Sequence, residues 1–264
     1  MNNFLSEILD LKQKRVELAK SNNNFESLKN HTFSVRSRAV SHALRKQLQA
    51  DDNIHIIAEI KRASPSKGII NDKINVAEVA QMYERGGATA ISVLTEEDRF
   101  GGTLEDLKIA RKSVKVPILR KDFIFDEFQI YEAAAAGADV ILLIAAMLDD
   151  KKLFQLKRLI EEKLKIDALI EVHTLEELER AKSIGATLIG VNNRDLQSFK
   201  VSLDVSRELI KHAPKDALMI AESGLSSREE LLELKELGFK GFLIGETLMK
   251  SGNAEEELRK MING

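Results

Sequence analysis

TLEELERAKSIGATLIGVNNRDL, residues 174–196, holds one whole structural unit. Apolar residues recur at helical spacing through its first half, and Gly185 follows as a helix-ending residue able to turn left-handed. TLIGV (187–191) is then an apolar run of strand length, ending in Asn192, Asn193, Arg194 and Asp195. An amphipathic helix feeding a wholly apolar strand is the pattern of parallel strands joined by crossover helices. The join recurs at GGATAIS (86–92), AGADVIL (136–142) and LGFKGFLIG (237–245). From residue 54 onward there are eight apolar runs: IHIIAEI (54–60), TAISVL (89–94), VPILR (116–120), DVILLI (139–144), DALIEV (167–172), TLIGV (187–191), ALMIAE (217–222) and KGFLIG (240–245).

Eight units of roughly 20 to 35 residues predict a closed α/β fold, the (β/α)8 or TIM barrel. An open doubly wound sheet would carry a glycine-rich turn after its first strand. Here the first strand runs into KRASPSKG (61–68), and neither GxGxxG nor a Walker A loop occurs. Helical segments are expected at 76–87, 103–113, 126–137, 174–185 and 227–238. The first fifty residues follow a different pattern: Phe4, Ile8, Leu11, Val16 and Leu18 recur near helical spacing, Asn22 to Asn24 form a polar break, and a second helical segment is expected from about Ser34 to Gln49. They predict a helical extension to one barrel domain spanning 1–264, a length one such core accommodates.

Forty Lys plus Arg against 42 Asp plus Glu leave a net charge of -2, so nothing in the composition favours nucleic acid or an anionic membrane surface. With no cysteine, disulfides, thiolate metal sites and thiol nucleophiles are excluded. The N-terminal stretch lacks the order of a secretory signal and no apolar run reaches membrane-spanning length, so a cytoplasmic location is expected. Asn30-His31-Thr32 matches a glycosylation acceptor that carries little weight without such a signal. A monomer is preferred and a dimer left open.

In a barrel, chemistry belongs at the C-terminal strand ends. Those ends carry Glu59 and Lys61, Lys121, Glu171, Asn192 and Arg194, and Glu222 and Ser223, while the opposite ends read as bland. Glu59 and Lys61 share a face by strand alternation, and could simply neutralise each other. Charges in a narrow mouth are costly unless paired or used, so their clustering on five strand ends points to a site. Ser223-Gly224 after the seventh strand and Gly245-Glu246 after the eighth fall where this fold binds phosphate through backbone N–H groups, which favours a phosphorylated small-molecule substrate. Ordinary turn geometry would also explain either glycine. The histidines have no metal-ligand spacing, so no metal is expected, and His173 reads as a loop residue rather than a catalyst.

The segments AEIKRASPSKG (58–68), LRKDFI (119–124), LIEVH (169–173), GVNNRDL (190–196), IAESGL (220–225) and FLIGETLM (242–249) resemble, in order, those of indole-3-glycerol phosphate synthases. The resemblance covers the whole chain. It implies conversion of 1-(2-carboxyphenylamino)-1-deoxyribulose 5-phosphate to indole-3-glycerol phosphate with release of carbon dioxide and water, with neither metal nor organic cofactor, and it implies that the extension of residues 1–50 packs on the barrel mouth. By the same resemblance Lys121 is the general acid of ring closure and Glu171 its acid/base partner. Lys61 contacts substrate, and Glu59 and Asn192 orient. Ser64, Arg194, Glu222 and Ser223 bind substrate, while Gly224, Gly245 and Glu246 match the phosphate loops. A carboxylate repels phosphate, so the Glu246 backbone N–H is expected to bind and its side chain to turn away. Phe100, Phe123, Leu142 and Leu196 could cover the aromatic ring, or be plain barrel packing. A Schiff-base aldolase using a strand-end lysine and a non-catalytic phosphosugar-binding barrel are the competing readings.

Overall fold

Strand residues flanked on one side by neighbouring side chains of the barrel and on the other by helices must be apolar throughout, and the eight long strands meet that requirement. They are β1 (Ile56–Ile60), β2 (Ala90–Leu94), β3 (Ile118–Lys121), β4 (Val140–Ile144), β5 (Asp167–Val172), β6 (Leu188–Asn192), β7 (Leu218–Glu222) and β8 (Gly241–Ile244). Nearly every residue in them is buried. The computed structural model, which describes residues 3–264, pairs each with its sequence neighbour in parallel and closes β8 onto β1, giving the (β/α)8 barrel.

The crossover helices begin where the sequence places polar caps. Thr103, Asp126 and Ser227 each form a two-way capping box at the start of α5 (Leu104–Ser113), α6 (Glu127–Ala135) and α10 (Arg228–Leu237), and Thr174 caps α8 (Leu175–Ser183). Gly238, at φ 118, ends α10 in the left-handed conformation that glycine adopts without cost. The remaining crossovers use α4 (Val76–Arg85), α7 (Asp150–Arg158) and α9 (Asp204–Leu209); the short α11 (Glu246–Lys250) follows the last strand, and α12 (Ala254–Asn263) closes the ring against α4. The β1–α4 loop adds a small antiparallel hairpin, Ala63–Ser64 with Gly68–Ile69.

The described residues of the extension, 3–50, divide between the two ends of the barrel instead of lying together over the mouth. Helix α1 (Asn3–Asn22) meets the C-terminal rim: Lys12 reaches Asp122, next to the end of β3, at 2.7 Å, and Arg15 pairs with Asp98 in the loop after β2. Asn24 caps α2 (Phe25–Arg36), which packs along α6. The expected second segment starts earlier than the sequence suggests and breaks over residues 37–42. Its last piece, α3 (Ala43–Leu48), covers the N-terminal end, with Arg45 on Asp167 and Leu48 against Gly241. The physical reason is polar: Arg36 reaches the carbonyls of Ala138 and Leu164 and the carboxylate of Asp139, anchoring the chain below the barrel. The strand ends there are therefore not bland. Thr32, inside the apparent glycosylation acceptor, is fully buried and bonds the Tyr131 carbonyl.

Candidate active site

Parallel pairing aligns the ends of β3, β5, β6 and β7, so their last polar side chains converge. Leu94 is level with Lys121, Ile144 with Glu171, Glu171 with Gly190, and Asn192 with Glu222. Lys121 Nζ lies 2.5 Å from Oε2 of Glu171 and 2.9 Å from Oε2 of Glu222, with all three side chains largely or wholly buried. Across the mouth, Lys61 Nζ lies 2.5 Å from Oε1 of Glu59, so the two same-face residues of β1 do meet. Asn192 hydrogen-bonds Glu171 and accepts the Arg194 backbone N–H at 3.0 Å.

Two carboxylates around one ammonium cannot both be compensated. Burial raises both, but the Lys121 ammonium, the His173 ring and the Asn192 amide hold Glu171 down to about 2. For Glu222, burial wins and the charge of Glu171 adds to it, pushing it up to about 7 against the pull of Lys121. Lys121 goes the other way: burial would release its proton, yet Glu171, Glu222 and Glu59 together hold it above the ordinary lysine value. The cluster thus joins an ammonium and a carboxylate to a second carboxyl that holds its proton above the ordinary glutamate range. Glu222 Oε1 is buried and finds no hydrogen-bond partner among the described residues. It occupies the space over Gly190, where a Cβ would stand 2.0 Å away, so the glycine of GVNNRD exists to admit this carboxyl.

Every residue singled out from the sequence as a site candidate lines one cavity of about 1030 Å³ at this rim. Lys121, Glu171 and Glu222 form its floor cluster, with Glu59, Lys61 and Asn192 beside them. Ser64 sits on the β1 hairpin, and Phe100, Phe123, Leu142 and Leu196 are on the apolar wall. Ser223 and Gly224 both have positive φ, 67° and 81°, and a Cβ on Gly224 would collide with Val201 at 2.4 Å. Gly245 has another reason to be glycine. Its φ of -127° suits any residue, but a Cβ there would lie 2.5 Å from Glu59 Oε1.

Glu246 departs from expectation in its surroundings. Its carboxylate is 2.6 Å from Lys250, 3.7 Å from Arg194 and 3.9 Å from Lys67, so a basic cluster does stand beside the two glycine loops. The bond to Lys250 holds Glu246 below the usual carboxylate range. Three cations around one carboxylate leave the region positive.

Several wall residues escaped the reading of the sequence. Phe4 of α1 stacks edge-on against Phe123 and Phe199, with ring centroids 6.4 and 5.3 Å apart, and extends the aromatic wall that Phe100 begins. Lys12 and Arg120 clamp Asp122, the neighbour of Lys121. Burial would raise Asp122, but the two cations hold it to about 2. His173 does stand in the loop after β5, but there it is largely covered and its Nε2 lies 3.4 Å from Glu171 Oε1. The sequence held one signal for it: position 173 is two beyond 171, hence on the same face. Among the described residues no group of His, Asp and Glu gathers as a metal site, and no helix is long and apolar enough to cross a membrane.

Fold and site together define a (β/α)8-barrel protein whose rim gathers two lysines and three glutamates beside a pair of glycine loops flanked by three cations. Among solved structures the chain is similar to thiamine phosphate pyrophosphorylase from Pyrococcus furiosus, with TM-score 0.58 and 17% identity over 80% of this chain and 94% of that one. It is also similar to N-acetylmannosamine-6-phosphate 2-epimerase from Clostridium perfringens, with TM-score 0.56 and 18% identity over 74% and 86%. These likenesses speak to the fold alone. Residues 5–261 match the family described as indole-3-glycerol phosphate synthase. Relatives of that name are 41% identical in Legionella pneumophila strain Paris, over 99% of both chains, and 44% identical in Aquifex aeolicus, over 98% of both. One from Carboxydothermus hydrogenoformans is 43% identical over 98% of this chain and 99% of its own. The chain belongs to the indole-3-glycerol phosphate synthase family, the enzymes of that step in tryptophan biosynthesis.

Proposed function

We propose that this barrel is a carbon–carbon lyase that closes the indole ring of 1-(2-carboxyphenylamino)-1-deoxyribulose 5-phosphate, releasing carbon dioxide and water. The observation that carries the reading is Lys121 between Glu171 and Glu222 on the floor of a cavity with an aromatic wall on one side and positive, glycine-rich loops on the other. The substrate has the same polarity: an aromatic ring at one end and a phosphate at the other.

Phosphate is held by the backbone at Gly224 and Glu246, with Arg194, Lys67 and Lys250 supplying charge. The anthranilate ring lies along Phe4, Phe100 and Phe123, which brings its carboxyl-bearing carbon against the ketone. That carbon attacks the carbonyl carbon while Lys121 gives a proton to the carbonyl oxygen, so the new C–C bond forms as C=O becomes C–OH. The ring carboxylate leaves as carbon dioxide, and its bonding pair restores the aromatic ring. The hydroxyl then leaves as water with a proton from Lys61. Glu171 takes the proton whose loss completes the indole double bond. Glu222, balanced near neutrality, restores the charge of the cluster when Lys121 has given up its proton.

The Schiff-base alternative requires a neutral lysine amine. Lys121 is held as ammonium by its glutamate neighbours, which disfavours it as a nucleophile. The test is to add the carboxyphenylamino deoxyribulose phosphate to the purified protein and follow indole fluorescence. Its appearance together with carbon dioxide is expected. Binding without either product would overturn the assignment.

A further inference from the structure

His173 follows β5 directly, and its side chain comes to within 3.4 Å of Glu171. Its ring is fixed from outside by α8. Glu177 Oε2 lies 3.2 Å from His173 Nδ1 and accepts the His173 backbone N–H at 2.7 Å, while Thr174 caps that helix through the Glu177 N–H. A carboxylate only accepts, so Nδ1 carries the hydrogen and Nε2 is the atom that exchanges a proton. Nε2 is buried, makes no hydrogen bond among the described residues, and faces Glu171 Oε1 at 3.4 Å. The other Glu171 oxygen is the one on Lys121 at 2.5 Å. The carboxylate is therefore flanked, one oxygen to each side, by an ammonium and an imidazole.

We propose that His173 is a positioning residue for Glu171: its imidazole, aimed by Glu177, holds the Oε1 edge of the carboxylate and sets by its own protonation whether Glu171 acts beside one cation or two. The proposal rests on the reaction assigned above. With His173 neutral, Glu171 answers to Lys121 alone and is the stronger base. With His173 protonated, Nε2–H donates to Oε1 and a second positive charge weakens it. The groups around the ring are Glu171 from β5, Glu177 from α8, Glu222 from β7 and Asp195 from the loop after β6, with Lys121 of β3 beyond Glu171. Burial works against the imidazolium. The Glu177 hydrogen bond and the charges of Glu171, Glu177 and Glu222 outweigh it and hold the ring above the ordinary histidine value. The ring therefore keeps its proton to higher pH than a free imidazole does.

The test measures kcat and KM by indole fluorescence from about pH 6 to about pH 9 for the parent and for His173→Asn, His173→Gln and Glu177→Gln. It also follows the His173 ring resonance by NMR in the parent, Glu177→Gln and Glu171→Gln. Both His173 variants should lose roughly tenfold in kcat with KM within about twofold, and lose one ionisation from the kcat profile. Glu177→Gln and Glu171→Gln should each move the ring titration to lower pH, because each removes a facing negative charge. Profiles of the His173 variants that superimpose on the parent's, or a ring titration indifferent to both glutamate changes, would overturn the proposal. Should the His173 variants not fold, the ring titration decides alone. A parent that makes no indole product sinks the reaction assigned above, whereas a normal parent with an unaltered His173 profile sinks this proposal only.

Discussion

At the N-terminal end of the barrel, Asp139 is bound by Arg36 at 3.2 Å and Arg111 at 2.8 Å and also accepts the Ile118 N–H. Asp167 is held there by Arg45 and His42 and takes the Arg45 backbone N–H. At the C-terminal rim the balance is reversed: Glu59, Glu171 and Glu222 face Lys61 and Lys121. Among the described residues the two ionisable side-chain atoms that are buried without a hydrogen bond, Glu222 Oε1 and His173 Nε2, are both at this rim. One end satisfies its carboxylates with an excess of donors and gains a fixed plug. The other leaves carboxylates in excess, which is unfavourable for stability and useful for moving protons. Burial raises Asp167 as it raises Glu222, so buried charge as such does not mark a site; the difference between the ends is the buried ionisable atoms left without a hydrogen bond at the rim.

The contrast can be broken most severely at the rim. Lys121→Ala should lower kcat by roughly 10³-fold while leaving substrate affinity within a few-fold, since it removes the acid and not the phosphate contacts. An unchanged rate would remove Lys121 from the chemistry. At the opposite end the same kind of change should act on stability instead. Asp139→Ala leaves Arg36 and Arg111 without their shared carboxylate and should cost about 3 kcal/mol in urea unfolding, with kcat of the folded protein unaltered. A large loss of kcat there would erase the distinction between the ends.

Gly190→Ala sharpens the comparison from inside the rim. The added methyl would meet Glu222 Oε1, so stability should fall by about 2 kcal/mol and the carboxyl should be displaced from Lys121, lowering turnover as well. The smallest effect is one of pH. Glu222 rises on folding from the ordinary glutamate range to about 7, so between these limits the folded chain keeps a proton that the unfolded chain has released. The stability it contributes therefore falls as pH rises through that window, by at most ~1.4 kcal/mol per pH unit. Glu171, lowered to about 2, contributes stability above the ordinary glutamate range and loses it only as pH falls toward 2. Glu222→Gln should remove the first slope and leave the acid-side loss, as read by thermal melts across pH. A slope that persists in the variant would show that the proton belongs elsewhere.

Much of this was legible along the chain. Each βα unit writes its helix, its cap and its strand within some thirty residues, and their place at C-terminal strand ends assigned Lys121, Glu171, Asn192 and Glu222 to one rim. What lay beyond the reading were residues whose role depends on distant neighbours. Asp139 and Asp167 looked like ordinary strand openings until Arg36 and Arg45 arrived from the extension. Phe4 looked like one more apolar helix position. Gly245 looked like a phosphate-loop glycine, yet the close approach that forbids a side chain there is that of Glu59.

The order of elements, the closed eightfold repeat and the addresses of the polar strand ends follow from local periodicity, which needs no knowledge of what a strand will face. Which carboxylate stays ionised, which holds a proton, and which glycine must remain small were decided only when closure brought together residues as far apart as Lys121 and Glu222, 101 positions distant. Desolvation and Coulomb attraction depend on distance through space, and sequence separation carries no record of it.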